Sequence, residues 1–121
     1  MSIPKSNALG QLDFTGLYDV TDGNEEFMAK LLQAISNSLY SFPNDMQQAI
    51  DEQNLVQFAK LAHKFKSSTA YLGFPPLDEL LSELEADNVE QVDTHTVMEE
   101  INLLSTHALE YVTDKLLEIK I

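Results

Sequence analysis

The chain has 121 residues, with seven lysines, no arginine and twenty acidic residues, for a formal charge of −13. That length suits one domain, 44% apolar residues suffice for a continuous core, and no basic face is left for nucleic acid or an anionic membrane. There is no cysteine, so disulfides and thiolate metal sites are excluded, and eight Gly or Pro in all suit long helices joined by few loops.

Residues 1–8 read as a flexible polar leader, and 9–121 as a single helical domain. The opening MSIPKSNALGQLDF has no apolar signal region, and no run approaches the roughly 20 apolar residues that cross a bilayer. A cytoplasmic location is expected, and the leading Met1 leans toward a free-standing chain. Leu9, Leu12, Leu17 and Tyr18 fit one or two short turns capping the core. Asp22 is the expected N-cap of the first long helix, with Glu25 completing a capping box. Behind it Phe27, Leu31, Ala34, Ile35, Leu39 and Phe42 recur at helical spacing. Pro43 is expected to kink that run or start a new turn. Met46, Ala49 and Ile50 carry the face on to about Gln53.

The next segment is the most regular. Leu55, Phe58, Ala62, Phe65, Thr69 and Leu72 are spaced three, four, three, four, three, the seam of a helix packed on other helices. Gly73 is the expected left-handed cap, and Pro75 and Pro76 set the entry of the following helix. There Leu77, Leu80, Leu81 and Leu84 line one face, closed by Asp87 and Asn88. A last helix runs from about Thr94 to Glu118, with Val97, Ile101, Leu104, Ala108 and Tyr111 inward. Helices with one apolar stripe each must bury it on one another. The expected fold is therefore all-α, an antiparallel four-helix bundle with a short N-terminal helical cap.

On a helical wheel His63 falls roughly 130° from the centre of its seam. Its neighbours there are small: Ala59 and Ser67 one turn either way, Ala70 two turns on. Between Glu52 and Asp78 there is no acidic residue, yet Lys60, Lys64 and Lys66 lie within that span. Lys66, three positions after His63, shares its surface. An exposed imidazole in such a patch can carry a dianionic group at small electrostatic cost, with lysine as a compact point charge and Ser67 as a hydrogen-bond donor. A lone surface histidine is more commonly without such a role; the small collar and Lys66 set this one apart.

The run His63-Lys64-Phe65-Lys66-Ser67-Ser68-Thr69-Ala70-Tyr71-Leu72-Gly73-Phe74 resembles the signature of histidine phosphotransfer (HPt) domains of multistep two-component phosphorelays. The likeness extends through Leu77 and Leu84-Glu85. Upstream, Asp22 to Phe27 is similar to the family's entry into its first long helix, so that about residues 12–118 are covered. Ser67 stands where many members have Gly, and Phe74-Pro75-Pro76 is bulkier than usual. The resemblance implies a phosphoryl carrier, not an ATP-dependent kinase. His63 would be phosphorylated and Lys66 would stabilise the phosphoryl group. Val56, Ala59, Lys60 and Ala70 would form the docking rim, with Gly73 structural. The implied partners are receiver domains of hybrid sensor kinases and response regulators, which would bring Mg²⁺; the chain itself would hold no cofactor and act as a monomer.

Other sites have less behind them. His95 with Glu99, or His107 with Glu110, offers two ligands each, too few for zinc. No Gly-rich phosphate loop exists. The alternatives to a carrier are an acidic helical module that binds a response regulator without accepting phosphate, and a receiver phosphatase using an amide such as Gln57.

Overall fold

The computed structural model describes residues 10–84 and 89–120, and the leader, Leu9, Asp87 and Asn88 fall outside them. Five α-helices follow in order: α1 (Thr15–Thr21), α2 (Glu25–Asp51), α3 (Leu55–Ser68), α4 (Pro75–Glu83) and α5 (Thr94–Lys120). Short 3-10 turns at Ala70–Leu72 and Val89–Gln91 join the last three, and there is no strand among the described residues. Helix α2 packs on α3 and α5, α3 on α4, and α4 on α5, which closes the expected four-helix bundle. Helix α1 lies over α2 and the turn Ala70–Leu72 as the cap.

The ends of α2 correct the sequence reading. Asn24, not Asp22, is the N-cap, accepting from the Phe27 N–H at 2.9 Å. Asp22 instead closes α1 in the left-handed region at φ 52°, followed by Gly23 at φ 72°. Two left-handed residues in succession turn the chain sharply, so the cap falls two positions later than the capping-box pattern suggests. The buried face shifts with it. Met28, Leu32, Ile35, Leu39, Pro43, Met46 and Ala49 are buried, whereas Phe27 is 46% exposed and Ala34 is exposed.

Pro43 does not divide the helix. It sits buried within α2, where it removes one backbone donor and presses its ring into the core. Next to it Phe42 stacks on Phe65 of α3, with centroids 5.2 Å apart and planes 12° from parallel.

Helix α3 follows its seam closely. Phe58, Ala62, Phe65, Thr69 and Leu72 are buried, with Leu55 half-buried. Its α-helical part stops at Ser68, four residues short of Leu72, and the rest tightens into the 3-10 turn. Gly73 then takes φ 55°, as expected. A second constraint acts there: a Cβ on Gly73 would lie 2.3 Å from the Asp13 carbonyl oxygen. The Asp13 N–H donates to the carbonyls of Leu72 and Gly73, at 3.0 and 3.1 Å, fastening the entry to α1 onto this bend. Pro75 and Pro76 begin α4, whose Leu77, Leu80 and Leu81, with Leu84 just beyond, are all buried.

In α5 the inward face drifts from the expected one. Met98, Ile101, Leu104, Ala108, Val112 and Leu116 are buried, while Val97 and Tyr111 are half-buried. Asp93 holds the start of this helix. Its Oδ1 accepts from the His95 N–H at 3.1 Å and its Oδ2 from the Thr96 hydroxyl at 3.0 Å. The bonds from Thr96 keep the Asp93 carboxyl below the ordinary carboxylate range.

Candidate functional site

The site is built on the solvent side of α3. Asn54 caps that helix by accepting from the Gln57 N–H at 3.0 Å, and the buried seam fixes its rotation. With the seam inward, His63 is exposed. The residues sharing its surface one turn away are Ala59 and Lys60 on one side and Lys66 and Ser67 on the other. Lys60 and Ser67 are exposed, and Lys66 is half-buried. An imidazole so placed meets small side chains and positive charge.

The collar departs in detail from the wheel. Ala59 is buried, at 5% exposure, and offers a partner almost no surface. It lies at the edge of the seam, where a methyl group fits under the neighbouring helix. The Ser67 hydroxyl donates to the His63 carbonyl at 3.2 Å, and Ser68 does the same to Lys64, also at 3.2 Å. The Ser67 donor is therefore engaged by backbone, as serines within helices commonly are. Val56, 68% exposed, stands two turns before His63, and Ala70 is exposed beyond it. Tyr71, also exposed, adds an aromatic surface at that end which periodicity did not single out.

The absence of acid around His63 is a property of the sequence more than of the fold. Helix α4 returns Asp78 to the last turn of α3. There the Thr69 hydroxyl lies 3.4 Å from Asp78 Oδ1 and 3.3 Å from the Lys66 carbonyl. Burial pushes the Asp78 carboxyl up, against the Thr69 hydrogen bond and the nearby Lys66 charge, which pull it down.

The other two histidines have different surroundings. His95 is exposed and pairs with Glu99 one turn on, at 3.1 Å. His107 is buried, and its Nε2 lies 2.7 Å from the Gly10 carbonyl. The Phe74 ring stands 5.5 Å away on one side and Tyr111 5.2 Å on another. The bulk of Phe74 is thus absorbed by the core beneath His107. No local signal marks this residue, because its hydrogen-bond partner lies 97 positions away. Among the described residues, no three His, Asp or Glu side chains converge as a metal ion would require. No helix there is long and apolar enough to cross a membrane.

Comparison with known families yields one model, the Hpt domain, matching residues 25–116. The match begins with α2, so α1 and the stretch before it lie outside, and it includes all of α3 and α4. No curated protein and no solved structure matches the chain.

Proposed function

The chain belongs to the Hpt family, whose members carry phosphoryl groups in phosphorelays, and on that premise we propose that His63 is its phospho-accepting residue. Hpt domains are phosphocarrier modules, not kinases, and they interact with receiver domains. The observation that carries the assignment is the exposure of His63 on α3 beside Lys66, among small side chains and inside the matched stretch.

The reaction needs little from this chain beyond that presentation. Neutral imidazole is a competent nucleophile near neutral pH. A lone pair on one ring nitrogen, Nε2 by analogy with the family, attacks the phosphorus of an aspartyl phosphate on a receiver. The N–P bond forms as the P–O bond to the aspartate breaks, and the carboxylate leaves with the electron pair. The imidazole gains positive charge, which is relieved when Nδ1 gives its proton to solvent. Transfer to a second receiver reverses these steps. Alignment and charge neutralisation dominate such transfers, and the receiver supplies the Mg²⁺. Lys66 contributes the positive charge nearest the phosphoryl group. Val56, Lys60, Ala70 and Tyr71 offer docking surface on either side of His63. Ala59 and Ser67 keep the approach low. The chain acts as a monomer, because each main helix uses its apolar face within the bundle.

A phosphatase reading finds no support in the geometry. Gln57 lines a shallow notch with Asp45, Gln48 and Glu52, on the α2 side of α3 and away from His63. The direct test is to incubate the chain with a phosphorylated receiver domain and map the label by mass spectrometry. Acid-labile phosphate on His63 is the expected result. Label on another residue, or a receiver that loses phosphate to water without labelling the chain, would overturn the assignment.

A further inference from the structure

Twenty-five consecutive positions around His63 carry no acid, and the fold then sets one carboxylate at the edge of that span. Asp78, in the first turn of α4, meets Thr69, the residue that ends α3. Thr69 is 1% exposed, and its hydroxyl lies between Asp78 Oδ1 and the Lys66 carbonyl. The chain of contacts from α4 therefore ends on the backbone of Lys66, which lies one helical turn from His63. Asp78 is half-buried, so its contact with Thr69 holds it at a set distance from that residue. The charge of Lys66 is felt at the Asp78 carboxyl.

A phosphoryl group on His63 would bring a second anion within one helical turn of Lys66. We propose that Asp78 is a positioning residue for phosphotransfer: from α4 it holds part of the Lys66 charge, so that a phosphoryl group on His63 is stabilised less than it would be otherwise. This rests on the assignment of His63 and Lys66 above. A carrier must release its group as readily as it accepts it, and a competing carboxylate makes the well from which the group leaves shallower. Asp78 needs no contact with the phosphoryl group to do this. It acts through Lys66.

Asp78→Asn keeps an acceptor for the Thr69 hydroxyl and removes the charge. With a phosphorylated receiver as donor, the equilibrium ratio of phosphorylated to free chain is expected to rise about threefold, the scale of a partly exposed ion pair. Hydrolysis of the phosphohistidine should slow as well. Asp78→Glu, which restores the charge, is expected to return the ratio close to that of the natural chain. In a Lys66→Ala background, Asp78→Asn should no longer change it, a dependence that a purely structural role would not produce. An unchanged ratio in Asp78→Asn overturns the proposal. So does the same rise with Lys66 absent, since Asp78 would then be repelling the phosphoryl group directly. If the natural chain takes no label on His63 from the receiver or from phosphoramidate, the assignment of His63 itself has failed, and this proposal with it.

Discussion

His63 and His107 are the same residue on two helices of one bundle, and their surroundings are opposite. His63 stands in water on α3, with lysines one turn away. His107 is buried on α5, bonded to the Gly10 carbonyl and packed against Phe74 and Tyr111. The first is placed by local sequence, since the regular seam of α3 determines which residues turn outward. The second is placed by a segment nearly a hundred residues away. An imidazole can be a nucleophile where water reaches it and a structural donor where it does not. The difference lies in the neighbours.

Substitutions at the two positions should therefore have opposite consequences. His63→Gln is expected to abolish phosphoryl labelling entirely while unfolding in urea within about 0.5 kcal/mol of the natural chain, as exposed substitutions do. Loss of the fold in that variant would erase the contrast. His107→Ala should do the reverse, losing about 2–4 kcal/mol of stability through the cavity and the unpaired Gly10 carbonyl. The fraction that stays folded should still take label at the normal rate. Gly73→Ala sharpens the comparison, because Gly73 joins the two regions: Asp13 is fastened to it on one side, and α3 leads into it on the other. Forcing a side chain into φ 55° and against the Asp13 carbonyl should cost about 2 kcal/mol, read from the urea midpoint. Lys66→Ala should slow transfer from a receiver about tenfold, roughly 1.4 kcal/mol of barrier, while stability read from that midpoint falls by no more than about 1 kcal/mol, the scale of the lost attraction to Asp78.

The smallest expected effect is on pH dependence. The Asp78 carboxyl is raised above its ordinary 3.8, so the folded chain holds its proton more tightly than the unfolded one. Stability should therefore fall as pH rises from 3.8 through the raised value, and Asp78→Asn should flatten that part of the curve. Asp93 has the opposite sign. Its carboxyl is lowered by Thr96, so its contribution is present above 3.8 and is lost as pH falls through the lowered value. Thermal unfolding of Asp78→Asn and Asp93→Asn across this range should separate the two. Parallel curves for both variants would contradict these assignments.

The candidate site was legible in the sequence to the extent that it is local. Exposure of His63, the nearness of Lys66 and the left-handed turn at Gly73 all follow from positions within one or two turns. What was not legible came from other elements. Asp78 lies twelve residues after Lys66, and α4 must fold back before the two interact. The helical wheel sets Ala59 on the open rim, but it sits at the seam's edge, where a neighbouring helix decides its burial. Asn24 caps α2 in place of Asp22 for a related reason. Its side chain and that of Asn24 suit a cap equally well, and the left-handed pair Asp22–Gly23 selects the later one.

By itself the sequence determined the number of long helices, the rotation of α3 and the residue that faces water from it, because apolar side chains at helical spacing leave one face to solvent. The tertiary structure decided which charges meet and which histidine is buried. Those outcomes depend on contacts between segments far apart in the chain, and no local pattern encodes the distance between them.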